Sequence, residues 1–220
     1  APDHTMLSRR GRQLGVKPRA CVGNESIHLI VDSTGLEIVG QGQWAAVKHG
    51  GKGIRGWRKL HMGVDDSGNI VAETLTNSAT DDASMVNALL SQIEGGIERF
   101  TADGAYDKSA VYEALTSRGA TVVVPPSKTA AVSKKRTPGS GARDSTVNGV
   151  QAVGRRTWKK ESGYHRQARS ENAIFRYKWL LGSRLRARDP DGQQVEVRLS
   201  CNILNRMTAL GAPRSYAMGR

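Results

Sequence analysis

The apolar positions of this chain change period several times, and each change marks an element. Ile27, Leu29, Ile30 and Val31 form a short apolar run that ends at Asp32, which predicts a strand over 27–32. Residues 58–76, "RKLHMGVDDSGNIVAETLT", alternate on either side of "DDSGN", the pattern of a hairpin with its turn. Over 81–93 the spacing switches: Met85, Val86, Leu89 and Leu90 recur at helical intervals. "IERFTADGAYD" predicts a short strand ending at Asp103, "DKSAVYEALTSRG" a helix ending at Gly119, and "ATVVVPP" a buried strand stopped by two prolines. Residues 127–150 are rich in Ser, Thr, Lys and Gly and read as a mobile basic loop. Helical spacing returns over 164–182, "DPDGQQ" reads as a turn, and "VEVRLSCNILNRMTAL" reads as a last helix.

Strands first, then strand alternating with helix, then helices: this order predicts an α/β fold with a mixed sheet. No internal repeat breaks it. The predicted organisation is a basic linker or arm over 1–26, one catalytic-sized domain over 27–210, and a flexible tail over 211–220. The chain starts with Ala in polar, basic sequence, and the expectation is a piece of something longer.

Charge sharpens the reading. Among 220 residues there are 33 Lys and Arg against 20 Asp and Glu, a net charge of +13. Such an excess favours a polyanionic partner, most often nucleic acid. No stretch is long and apolar enough to cross a membrane as a helix. Cys21 and Cys201 stand alone without metal-ligand spacing, which argues against zinc and for a reducing, cytoplasmic setting.

Three acids stand out. Asp32 and Asp103 each close a β-type run and precede small residues, in "VDSTG" and "TADGAYD". At the carboxyl ends of neighbouring strands both would face one crevice, where a divalent cation would relieve their repulsion. Each could equally be a turn residue. The third lies in "GYHRQARSENAIFRYKWLLG". On a helix Tyr164, Glu171 and Lys178 fall seven apart, about 20° per step, with Gln167 on the same side. A solvated charged face is normally the better reading of such a stripe. Basic residues surround the acids: Lys48, Lys52, Arg55, Arg58 and Lys59, with Trp44 and Trp57 interleaved, and a Lys/Arg-rich segment over 151–188. Cations to grip a phosphate backbone and acids to hold metals suit a nucleic-acid substrate.

With these motifs in place, the chain resembles the DDE transposases of bacterial insertion sequences, most closely the fifth insertion-sequence family. "VDSTGL", "TADGAYD" and "GYHRQARSENAIFRYK" look like its three acidic motifs, and "WRKLH" and "PDHT" share its appearance. The third is the most specific: Tyr, two residues, Arg, three residues, Glu, six residues, Lys. Tyr164, Glu171 and Lys178 match it. The resemblance implies a ribonuclease-H-like fold and a triad of Asp32, Asp103 and Glu171 binding two divalent ions, Mg²⁺ or Mn²⁺. It implies nicking at transposon ends, then strand transfer by the new 3′-OH into target DNA. Tyr164, Gln167, Lys178, Arg166, Arg169, Lys59 and Arg58 would contact DNA. The partners would be terminal inverted repeats and target DNA, engaged by a homodimer on paired ends, near the bacterial nucleoid.

Two features depart from the family pattern. Position 167 is Gln where the signature has Arg, so phosphate binding there loses a charge. Only about thirty residues precede Asp32, less than the usual DNA-recognition region, which predicts a truncated element or an isolated catalytic domain. Two other readings stay open: a DNA-binding remnant that no longer transposes, and a generic metal nuclease. Asp82 and Asp107 are expected to cap helices, Asp65 and Asp66 to form the hairpin turn, and Trp158 and Trp179 to pack. His28, His49 and His61 share no ligand spacing.

Overall fold

The computed structural model describes residues 26–40, 56–134 and 136–211, together with Met6, Arg9–Gly11 and Gly15. Most of the predicted arm, "PDHT", Cys21, Trp44, Lys48, His49, Lys52, Arg55 and all of the predicted tail but Gly211 lie outside the described residues.

Among the described residues six strands form one mixed sheet: β1 (Ile27–Ile38), β2 (Trp57–Val64), β3 (Ile70–Asn77), β4 (Ile97–Thr101), β5 (Thr121–Val123) and β6 (Arg184–Leu185). The order is β3-β2-β1-β4-β5, with β6 beside β1. β1, β2 and β3 pair antiparallel, while β4, β5 and β6 run parallel to their neighbours. This is the strand arrangement of a ribonuclease-H-like fold, flanked by helices as expected. The helices are α1 (Val86–Leu90), α2 (Ser109–Thr116), α3 (Ser140–Val153), α4 (Arg155–Glu161), α5 (Ala168–Leu180) and α6 (Pro190–Ala209).

Alternation along the central strand divides the core in two. Leu29 and Val31 of β1 face one side, packing with Val86 and Leu89 of α1 and Tyr112 and Leu115 of α2. Ile30 and Leu36 face the other, packing with Ala173 and Tyr177 of α5 and Val197 and Leu204 of α6. α6 also secures the outer strand. The Asn205 amide donates to the Ile70 carbonyl at 2.8 Å and accepts from the Ile70 amide at 2.7 Å. Asn205→Ala leaves both backbone groups without that partner. It is expected to cost about 1–3 kcal/mol, measured by urea denaturation.

Several elements differ from the sequence reading, each for a local reason. β1 continues to Ile38, so Asp32 lies within a strand rather than at its end. What ends near Asp32 is the neighbour: β4 pairs only as far as Ile30↔Thr101. The second half of the expected basic loop is helix α3. It buries Ser140, Thr146 and Val147, a face too weakly apolar to register as amphipathic. α3 approaches α2 so closely that a Cβ on Gly139, whose φ is +80°, would lie 2.4 Å from the Glu113 amide nitrogen. "DPDGQQ" is not a turn but the start of α6: Asp189 caps it, accepting from the Gly192 amide at 2.8 Å, and Pro190 occupies its first turn. The helix expected over 81–93 shrinks to a 3₁₀ turn, Ala83–Met85, and α1.

Candidate active site

Asp32 shares the parity of Ile30 and therefore projects from the face of the sheet that α5 and α6 cover. Its Oδ1 accepts a hydrogen bond from the Ser33 amide at 2.8 Å. Asp103 follows β4, the parallel neighbour of β1, and caps the 3₁₀ turn Gly104–Tyr106 by accepting from the Ala105 amide at 2.9 Å. It is both a turn residue and an acid beside the site. Glu171 sits in the first turn of α5, which packs on β1 and β2.

The electrostatics tie the three together. Asp32 is pushed up to about 6, chiefly because burial penalises its charged form; Asp103 and Glu171 add to the rise, against the Ser33 hydrogen bond. Tyr164 is likewise raised, first by burial and then by Asp103, Glu171 and Asp32. The Lys159 ammonium lies 4.5 Å from the Tyr164 ring centroid.

The donor set suits a hard divalent cation, being all carboxylate oxygen, with one member raised among like charges. It is not a closed cage: among the described residues, no three His, Cys, Asp or Glu side chains are grouped closely enough to hold one ion. Magnesium in general keeps several waters and takes one or two carboxylates plus substrate phosphates.

The polar stripe expected on one continuous helix is built differently. Tyr164–Gln167 is a 3₁₀ turn and the α-helix starts at Ala168. Gln167, expected to meet phosphate, is only 4% exposed. Its Nε2 donates to the Val31 carbonyl at 3.0 Å, one residue before Asp32 and just past the last pair of β4. Gln167 anchors the start of α5 to β1 and is not a surface ligand. Arg58 and Lys59, also expected on DNA, are held within the protein. Arg58 donates to Gln193 at 2.9 Å; Lys59 donates to the Thr80 carbonyl at 2.7 Å and lies 3.3 Å from Asp82. Lys178 and Arg169 are exposed. Arg166 is exposed and pairs with Asp66 at 2.6 Å. Arg166 and Arg169 line an open cleft of about 430 Å³ with His165, Ala168 and Asn172.

Other expectations also change. Asp81, not Asp82, accepts from the Ser84 amide, while Asp82 turns toward Lys59 and His61. Asp107 pairs with Arg143 at 2.8 and 3.0 Å instead of capping α2. Asp65 does organise the hairpin turn, accepting from Ser67 and Asn69. Trp179 is 77% exposed and stacks on Phe175, where packing was expected. No helix among the described residues is long and apolar enough to cross a membrane.

Comparison with known proteins bears on this geometry. A family model described as Transposase DDE domain matches residues 23–206. A solved structure, the cryo-EM structure of piggyBac transposase synaptic complex with hairpin DNA, aligns at 10% identity with a TM-score of 0.30. The alignment covers 86% of this chain and 55% of that one, so this chain spans about half its length.

Proposed function

This chain belongs to the transposase DDE domain family, and from that premise we propose that it is a transposase catalytic domain whose Asp32, Asp103 and Glu171 hold a divalent cation, Mg²⁺ or Mn²⁺, at a DNA phosphodiester. The observation that carries this reading is the convergence on Asp32. A central strand, the turn after its parallel neighbour and a covering helix supply the three acids, and Asp32 is raised first by burial and then by Asp103 and Glu171. When bound, such a cation polarises the phosphoryl group and lowers the pKa of attacking water.

The remaining work falls to side chains of this chain. Tyr164, flanked by Lys159, offers a hydroxyl. Lys178, Arg166 and Arg169 supply charge for backbone phosphates. Gln167 holds the start of α5, and so Glu171, against the strand that carries Asp32. In this reading the substrates are insertion-sequence ends and target DNA, worked by a dimer on paired ends in a bacterial cytoplasm.

A second reading, a DNA-binding domain that no longer cleaves, is favoured by one observation: the acids do not form a closed three-donor cage among the described residues. Nicking of supercoiled plasmid separates the two. The first reading predicts nicked product with Mg²⁺ or Mn²⁺ and none with a chelator, while DNA retention on a gel survives without metal. Retention falling steeply with salt would report the phosphate contacts. Nicking that persists in chelator would contradict the first reading, and retention with no nicking in either metal would select the second.

A further inference from the structure

Behind Asp32, on the opposite face of the sheet, lies a polar cluster that the proposed chemistry does not use. The Asp82 carboxylate stands 3.3 Å from Lys59 Nζ and 3.4 Å from His61 Nδ1. Lys59 also binds the Thr80 carbonyl, and His61 Nε2 lies 2.9 Å from the Thr76 hydroxyl. His61 is wholly buried and Tyr106 is 1% exposed. Asp82 Oδ1, His61 Nδ1 and the Tyr106 hydroxyl are all buried, and none completes a hydrogen bond. Asp82 Oδ1 and His61 Nδ1 lie 3.4 Å apart, and two such atoms together are unusual for a segment that merely closes a loop.

Their location relates them to the acids. His61 pairs with Ser33 across the β1–β2 ladder, and the Ser33 amide donates to Asp32 Oδ1. A shift of His61 therefore reaches the Asp32 carboxylate through one backbone pair. Tyr106 ends the 3₁₀ turn that Asp103 caps. Tyr106 packs in the same core cluster as Ala83, the residue after Asp82, and burial, then the charges of Asp82, Asp32 and Asp103, hold its hydroxyl well above its ordinary pKa. Asp82 thus contacts His61, whose ladder partner Ser33 adjoins Asp32, and it precedes Ala83, which shares a core cluster with Tyr106 of the turn that Asp103 caps. Lys59, which balances its charge, sits opposite Gly35 on the same strand as His61.

We propose that Asp82 is a positioning residue which, through His61 and Tyr106, sets the placement of the Asp32 and Asp103 carboxylates relative to each other. The proposal rests on the metal-site reading above, and its test separates the two. Asp82→Asn, and Asp82→Asn combined with Lys59→Met, are compared with the parent chain. The measurements are thermal midpoint, Mn²⁺ affinity by water-proton relaxation without DNA, and nicking rate at saturating Mn²⁺. Asp82→Asn is expected to weaken Mn²⁺ binding roughly 10- to 100-fold, the usual loss when a partner of a metal ligand is removed. Nicking should slow to a similar extent. The double variant, which leaves no unpaired ammonium, is expected to regain the thermal midpoint but not the Mn²⁺ affinity. If Asp82→Asn alone does not fold, the double variant decides.

Unchanged Mn²⁺ affinity in the variants, or its recovery together with the midpoint, would overturn the proposal and assign Asp82 a structural role only. A parent chain that binds Mn²⁺ without nicking, with affinity lost in Asp82→Asn, would support the positioning role while removing the cleavage reading.

Discussion

Asp32→Asn is expected to lower metal-dependent nicking by about three orders of magnitude or more, the scale on which loss of a central catalytic group is felt. The same substitution is expected to stabilise the fold at neutral pH in chelator. The Asp32 carboxyl is pushed up to about 6 in the folded chain, so folding favours its protonated form. Below its unfolded pKa the group is protonated in both states and costs nothing. As pH rises from the unfolded value to about 6, the unfolded chain ionises while the native state resists a charge in a desolvated place beside other acids, so stability falls, and above that the penalty stays constant. Asparagine removes that penalty, about 1–3 kcal/mol at pH 7. The thermal midpoint should therefore rise by several degrees at pH 7 and scarcely change at pH 4. DNA retention without metal should stay near the parent value. Equal midpoints at both pH values would remove the electrostatic account of this residue, and undiminished nicking would remove its catalytic one.

The second large effect concerns the attachment of α6 to β3. Glu73 is 1% exposed and is reached by the Arg198 guanidinium at 3.0 Å and the Gln194 amide at 3.0 and 2.8 Å. Burial outweighs these partners, so its carboxyl is raised above the ordinary range. Arg198→Met leaves a buried carboxylate without its cation and is expected to cost about 2–4 kcal/mol. That is less than for a fully buried pair, because Arg198 is 38% exposed. The loss should shrink as pH is lowered, since protonation removes the stranded charge: for an acid with a raised folded pKa, the penalty appears as pH rises through that value. Adding Glu73→Gln should recover most of the stability. Denaturant midpoints at pH 5 and 7.5 read both outcomes.

The sheet was legible in the sequence because its strands are bounded by strong punctuation. "DDSGN" placed the hairpin, and the prolines after Val124 closed β5. What escaped was set by neighbours rather than by local pattern. The end of β1 could not be seen at Asp32 because the strand continues along β2 after β4 has stopped. α3 was hidden by a buried face of Ser140, Thr146 and Val147, whose packing on α2 no periodicity announces. The start of α6 carries a readable signal, Asp189 before Pro190, which as local sequence is also turn chemistry.

At the candidate site, motif spacing singled out the three acids and Tyr164 as expectations. It did not show which polar residues also bond within the fold. Gln167, Arg58 and Lys59 each sit in a polar motif, yet each spends its side chain on another part of the fold. Asp82 looked like a cap because it precedes a helix. Only tertiary contact with Lys59 and His61 shows otherwise.

The central claim is that Asp32, Asp103 and Glu171 serve one divalent cation site. Crystals of the chain soaked in Mn²⁺ and measured at an anomalous wavelength test it most directly. The account predicts an anomalous peak within coordination distance of Asp32 and at least one of the other two carboxylates, absent from Asp32→Asn crystals. A peak elsewhere with none at Asp32, or one that survives Asp32→Asn unchanged, would contradict it.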